Sequence, residues 1–338
     1  MPDPFAPYAE LYVNPQGPGD KRPTALKILD DNDLFGAWSD KVVIITGATS
    51  GIGVETARAM YATGARVFLM VRNTHKATSI VADIISSTKG RGNIDVIEMD
   101  NDSLDSVRKA AREFLSMSSQ LNVLINNTAV MACPKTTTID GFERQFAVNY
   151  LAHFTLSVLL LPTMMRSSSE SFNSRIVWVS SSGHRWCTVK FDDINFDKDY
   201  EPFLAYGQSK TATNWASNYI DRAYGPRGVH SLALDPGGVW SNLQRYASEE
   251  KQSEWKKDLV TMIQMQSPEQ GAATSIWAAT APVWEGRGGK YLANCKLAGP
   301  STNLTSPIDD GYAPHCYDLE GEDRLWKLSL DMAGLKAP

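Results

Sequence analysis

Residues 42–53 read V-V-I-I-T-G-A-T-S-G-I-G, an apolar β-branched run that passes straight into a glycine-rich turn. Five residues of this kind suit a strand buried on both faces. A stretch of helical length, Gly53 to Thr63, follows at once. Glycines at 47, 51 and 53 permit a tight turn, close approach of the backbone to a pyrophosphate and close packing of helix on strand. The helix then points its N-terminus, with its unpaired N–H groups, at the anion. A glycine-rich turn alone is weak evidence for a ligand, but a turn placed between an apolar strand and a helix is stronger. Gly47, Thr49, Ser50, Gly51, Ile52 and Gly53 are therefore candidate cofactor contacts.

The same alternation continues outward. RVFLMV (66–71), IDVIEM (94–99), LNVLIN (121–126), RIVWVS (175–180) and VHSLAL (229–234) read as strands, with a late one at Lys290 to Leu292. Between them lie helical segments at 103–116, 139–165, 204–224 and 268–279. Such a βαβ succession predicts an α/β fold, a doubly wound parallel sheet with helices on both faces and right-handed crossovers. One domain over residues 41–300 is the simplest account. Residues 1–40 carry Pro2, Pro4, Pro7, Pro15, Pro18 and Pro23, which predicts an extended arm docked through Phe5, Tyr8 and Tyr12. Residues 301–338 form a C-terminal extension.

The chain has 338 residues, 33 basic and 38 acidic, with a formal net charge of -5. That balance, with no dense basic run, argues against nucleic acid as a partner and for a small molecule. The four cysteines stand far apart with no metal-ligand spacing, so no metal is expected and they read as free thiols in a reducing compartment. No signal peptide is visible, and the apolar stretch near 155–161 is too short to span a bilayer. The expectation is a soluble, cytoplasmic protein.

Y-G-Q-S-K, residues 206–210, lies in a helical segment, so Tyr206 and Lys210 share a face one turn apart. A phenol with a pKa of about 10 exchanges protons poorly near neutrality. A neighbouring ammonium stabilises the phenolate and lowers that value. The commoner meaning of such a pair is a lysine stem lying over a ring. His184, close to Ser182, raises the thought of a hydrolase pair, but no G-x-S-x-G elbow surrounds the serine.

The G-x-x-x-G-x-G spacing resembles the short-chain dehydrogenase/reductase family. L-I-N-N-T-A-V (124–130), Asn149 in F-A-V-N-Y, Ser181 in V-S-S-S-G, Tyr206, Lys210 and P-G-G-V-W-S (236–241) match its landmarks in order across residues 41 to 292. Thr128-Ala129 depart from its usual Ala-Gly, and Ser241 from its commoner threonine. The resemblance implies a single Rossmann-fold domain of about seven strands. It also implies Tyr206 as proton donor, Lys210 as its partner and as holder of the nicotinamide ribose, and Ser181 as carbonyl-orienting hydroxyl, with Ser182 as fallback. Asn149 would hold a proton-relay water. Asp100, Asn101, Asn127, Pro236, Gly237, Val239 and Ser241 would join the cofactor site.

At the end of the second strand Val71 takes the place where an acid selects NAD, and Arg72 follows, with Thr49 or Ser50 near; a phosphorylated ribose suits such a cation, so the expected cofactor is NADP. Residues 240–266 read as an amphipathic helical stretch, which the resemblance implies is the lid over the substrate; its aromatic and methionine content suggests a lipophilic or aromatic substrate, with Ser182, His184 and Trp240 lining its pocket. G-G-K-Y-L-A-N-C (288–295), G-Y-A-P-H (311–315) and R-L-W (324–326) resemble the retinol-dehydrogenase-like and WW-domain-oxidoreductase-like branch. The reading is an NADP-dependent reductase of a ketone or aldehyde, with no membrane span. Homodimer pairing through the two long helices is implied by the resemblance. A cofactor-binding sensor without turnover, and a reductase with a second activity such as epimerisation or cyclisation, stay open.

Overall fold

The computed structural model describes residues 3–338. After a helix α1 (Ala25–Asp31), β1 (Val42–Thr46), α2 (Ile52–Ala62), β2 (Arg66–Val71), α3 (Thr74–Ser87), β3 (Asn93–Glu98), α4 (Leu104–Met117) and β4 (Val123–Asn126) form the first half. The second half holds α5 (Arg144–Phe146), α6 (Ala152–Ser167), β5 (Ser174–Val179), α7 (Pro202–Tyr224) and β6 (Val229–Asp235). Then come α8 (Glu249–Lys257), α9 (Leu259–Gln264), α10 (Pro268–Gly271), α11 (Ala273–Thr280), β7 (Lys290–Ala293), β8 (Lys296–Leu297) and α12 (Leu319–Met332).

The strands form one sheet in the order β3-β2-β1-β4-β5-β6-β7-β8, parallel except for the antiparallel β7–β8 pair. The expected count of about seven therefore gains a two-residue edge strand, too short to carry a periodic signal. Alternating side chains serve the two faces. Ile44, Phe68, Leu124 and Trp178 pack with α4, α6, α7 and α12, whereas Val43, Ile45, Leu69, Ile125 and Val177 pack under α1, α2 and α11. Strand order reverses between β1 and β4, so the loops leaving them diverge and open a crevice at the strand C-termini.

The arm is not merely extended. Thr24 caps α1 by accepting from Lys27 N, and Ala25, Ile28 and Leu29 are buried on the sheet's second face. That i, i+3, i+4 pattern follows the last proline of the arm, Pro23, and the proline composition masked it. Arg144–Ser167 is long and apolar enough to cross a membrane, yet 89% of its apolar window is buried in this core. A π-turn, Ala147–Leu151, joins its two helices.

The C-terminal extension packs on the sheet's first layer. Trp326 stacks on Tyr219 of α7 (4.2 Å between centroids, 11° between planes) and meets Phe154 edge-on at 4.9 Å. Asn218 Nδ2 donates to Cys316 O (2.8 Å) and Glu322 Oε1 (2.9 Å). Part of α7 is thus already covered within the chain. Trp326→Ala should cost about 3–5 kcal/mol, the range for a buried aromatic cut to alanine, read as a lower midpoint in denaturant unfolding.

Candidate active site

β1 delivers the chain into a turn whose backbone needs glycine. Gly47 and Gly51 have φ of +72° and +57°. A Cβ at Gly53 would stand 2.4 Å from the Gly47 carbonyl, and one at Gly47 would stand 2.6 Å from Thr128 Oγ1. Thr46 Oγ1 accepts from Asn127 N (2.9 Å) and Thr128 N (3.1 Å), and Asn127 Nδ2 donates to Thr46 O (3.0 Å), which ties the β1 and β4 loops together. The replacement of glycine by Ala129 in that second loop leaves it beside the same cavity.

That cavity has a volume of about 750 Å³, at the upper end of the usual range for small-molecule sites. Gly47, Thr49, Ser50, Gly51, Ile52 and Gly53 line one wall, and Arg72, Asp100, Asn101 and Asn127 lie along it. Ser181, Ser182, Tyr206, Lys210, Pro236, Gly237, Val239 and Ser241 line the other end. Residues from the loops after all six of β1 to β6, and from α7, thus meet in one crevice. A glycine cradle at a helix N-terminus at one end, with hydroxyls and an ammonium at the other, fits a dinucleotide lying across the sheet.

Val71 is buried where an acidic residue would otherwise accept from a ribose. Arg72 is 67% exposed and reaches Asp102 only at 4.0 Å, because Asp102 is held by Arg144 at 2.7 and 3.0 Å. The Arg72 guanidinium therefore keeps its donors for another partner. Lys76, one turn into α3, lines the same end; sequence reasoning passed over it, although it stands four residues after Arg72.

At the other end, Tyr206 and Lys210 are each 2% exposed. Lys210 Nζ donates to Val179 O (2.8 Å) and lies 5.5 Å from the Tyr206 ring centroid. The expected drop in the phenol's pKa does not appear. Burial pushes Tyr206 up, the Ser181 hydroxyl works against that, and the Asp235 carboxylate adds to it. Burial also pushes Lys210 down to about 7, opposed by Asp235. Desolvation disfavours the charged form of both groups, and here it outweighs the Ser181 hydroxyl at the phenol and the Asp235 carboxylate at the ammonium.

Ser181 Oγ accepts from Gly183 N (3.0 Å), and its hydroxyl is the group that works to lower the Tyr206 pKa. Asn149 is 2% exposed and does not line the cavity. Its Oδ1 accepts from Val130 N (2.8 Å), and its Nδ2 donates to Val130 O and to Ser209 Oγ, both at 2.9 Å. The carboxamide braces the β4 loop against α7.

Two substrate-wall expectations are corrected. His184 is fully buried behind the wall: its Nδ1 donates to Ser181 O (2.7 Å), its Nε2 accepts from Ala313 N (3.1 Å), and burial lowers its pKa to about 3. The C-terminal extension supplies that second partner, which local sequence could not reveal. Trp240 is half-buried under Lys256 Nζ, 5.6 Å from its ring centroid, while its neighbours Val239 and Ser241 line the cavity instead. Asp235, just before Pro236, was missed; it lines the cavity and accepts from Gly237 N (3.1 Å), and burial raises its pKa. An acid closing an apolar strand was its available signal.

Residues 41–252 match the short chain dehydrogenase family model. The chain is 47% identical to the short-chain dehydrogenase/reductase prx1 of Penicillium roqueforti over 97% of its own length and 95% of that protein. Human polyprenol dehydrogenase is 35% identical, covering 89% of this chain and 88% of its own length, and human retinol dehydrogenase 11 is 35% identical, covering 87% and 86%. A solved structure from Mycobacterium paratuberculosis superposes with a TM-score of 0.68 at 29% identity, covering 94% of this chain and 100% of that one. The chain belongs to the short-chain dehydrogenase/reductase family, in the branch that holds the retinol dehydrogenases, and is an oxidoreductase of alcohol or carbonyl groups.

The buried ammonium gives a pH test. With its folded pKa near 7 and an unfolded value of about 10.4, Lys210 binds its proton more tightly in the unfolded chain. Protonation therefore favours unfolding, and the parent gains stability from this group as pH rises through that window. Lys210→Met removes the penalty. In thermal melts it should stand above the parent most clearly at or below pH 7, with the difference closing as pH approaches 10.

Proposed function

We propose that the chain is an NADP-dependent oxidoreductase that reduces a ketone or aldehyde of a lipophilic or aromatic small molecule, and oxidises the alcohol in reverse. One observation carries this reading: a single cavity holds Ser181, Tyr206 and Lys210 at one end and Arg72 with Lys76 at the other.

When bound, the nicotinamide supplies or accepts the hydride. Thr49 to Gly53 would hold its pyrophosphate, Asp100 and Asn101 its adenosine end, and Arg72, Lys76 and Ser50 the phosphate on the adenosine ribose. Pro236, Gly237, Val239 and Ser241 would border the nicotinamide. The remaining chemistry belongs to this chain's side chains. Ser181 donates to the carbonyl oxygen and orients it, and Tyr206 delivers the proton that balances the negative charge developing there. Lys210 holds positive charge beside the phenol, so a phenolate forms more readily once the lysine is protonated. Asn149 positions the loop and α7 that carry these groups.

The substrate wall is apolar. From Tyr206 a ring series leads outward through Trp186 (6.2 Å between centroids), Phe203 (5.7 Å) and Trp255 (6.3 Å), with Met131, Ala132 and Leu243 packed beside it. Such a surface favours an apolar ligand by burial and ring contact. The names of the polyprenol and retinol dehydrogenases point to apolar alcohols, which supports the same class for this chain. Reduction is the favoured direction because cells keep NADP largely as NADPH.

Cofactor oxidation with lipophilic ketones and aldehydes tests the reading. Tyr206→Phe should lose about 10²- to 10⁴-fold in turnover, the worth of a positioned general acid, while still binding NADPH. Arg72→Ala with Lys76→Ala should raise KM for NADPH by about 10- to 100-fold, the scale of lost charge-assisted bonds, with little change for NADH. Binding of NADPH by both proteins with turnover by neither would sink the enzymatic reading.

A further inference from the structure

The segment 15–23 of the N-terminal arm has no part in the chemistry above, yet its contacts lead to the cavity. The Arg22 side chain is 2% exposed. Nε donates to Asp20 Oδ1 (2.9 Å), Nη1 to Gln264 O (2.7 Å), and Nη2 to Gly17 O (3.1 Å) and Met265 O (2.6 Å). Gly17 N adds a bond to Ile263 O (3.0 Å). Gln270 closes the arm from the other side: its Nε2 donates to Asp20 Oδ1 (3.0 Å) and Arg22 O (3.2 Å), and its Oε1 accepts from Gly19 N (2.9 Å).

The carbonyls of Ile263, Gln264 and Met265 close α9, the last turn of the lid. On the far side of this same strip lies the proline-glycine loop. Gln266 N donates to Gly238 O (2.7 Å), Gln266 Nε2 donates to Pro236 O (3.3 Å), and Val239 and Gln266 form a parallel bridge. Met265 Sδ sits so close to Gly238 that a Cβ there would stand 2.7 Å away. Gly237, Gly238 and Val239 line the cavity. The strip 263–266 is therefore held between the arm and the loop.

The rest of the lid is held loosely. Neither α8 nor α9 contains a buried residue, and Leu259 and Val260 are 75% and 45% exposed. Elements with few buried contacts open at low free energy, so what fixes the lid's root decides how often it closes. The arm also has anchors that do not reach the lid: Leu297 N donates to Phe5 O (2.8 Å), Tyr8 Oη to Asp31 (3.0 Å), and the Phe5 ring meets Trp284. Breaking the Arg22 fork should thus release the lid without releasing the arm.

We infer that residues 15–23 form a clasp that presses the lid's root against the proline-glycine loop, with Arg22 as a positioning residue for substrate binding. A guanidinium suits the task because its planar donors serve four acceptors in different directions at once, which one ammonium cannot. The inference rests on the proposed function only in taking residues 240–266 to cover the substrate.

The test compares the parent protein with Arg22→Gln, Arg22→Lys and Asp20→Asn, and with Tyr8→Phe as an arm variant that does not touch the lid. Amide hydrogen exchange over 249–266 is read first, with and without NADPH. Arg22→Gln should raise exchange there by about tenfold or more, with β1 and α7 unchanged; Arg22→Lys should fall between it and the parent, and Tyr8→Phe should match the parent. Turnover should show KM for the carbonyl substrate raised about tenfold and kcat within about twofold, since a looser lid weakens binding without touching the proton donor. If Arg22→Gln fails to fold, Arg22→Lys and Asp20→Asn carry the same readings. Exchange that stays at the parent's level in the lid, or rises equally over the whole chain, overturns the clasp. Because exchange needs no turnover, an inactive enzyme would defeat the functional reading while the clasp is still decided.

Discussion

An ammonium buried at the end of a sheet governs this site. Lys210 reaches it from α7, donates to the Val179 carbonyl at the end of β5, and is steadied by the Asp235 carboxylate at the end of β6. Ser180 Oγ donates back to the Lys210 carbonyl (3.1 Å), so the helix and the strand end hold each other at two points. A charge removed from water in this way persists only where its donors are met and a counter-charge is near. α7 is accordingly buried along almost its whole length, with the sheet beneath and α12 against it. Loss of any of these covers would return water to the lysine and relax the desolvation that sets its preference for the neutral form.

The cavity has two chemically unlike ends because the sheet reverses its strand order between β1 and β4. One end offers backbone N–H groups, hydroxyls and the cations Arg72 and Lys76, which suit phosphate; the other offers a phenol, an ammonium and the apolar side chains of Met131 and Leu243. A ligand spanning them would meet unlike chemistry at its two ends. Few groups cross between the two. The bracing hydrogen bonds of Asn149 and the Thr46 bonds to the β4 loop keep the halves in register.

Much of this was legible in the chain because strand-turn-helix chemistry is local. VVIIT followed by glycines at 47, 51 and 53 declares a parallel strand and an anion-binding turn, since β-branching, left-handed φ and helix N-termini act within a dozen residues. Tyr206 and Lys210 announce a shared face through helical period alone. What failed did so through contacts distant in sequence. His184 looked available until Ala313 and the Ser181 carbonyl took both ring nitrogens. The arm read as extended because its prolines outnumber the three apolar residues that bury α1.

By itself, then, the sequence determined the α/β alternation, the glycine turn and the family landmarks, because each depends on residue type and short-range spacing. Only the tertiary structure decided the protonation tendencies of Tyr206 and Lys210, the place of Asp235 beside them, and the grip of Arg22 on the carbonyls of Gln264 and Met265. These arise from desolvation and from partners 25 to 243 residues apart. Burial has no signature at a single position until the whole chain has closed around it.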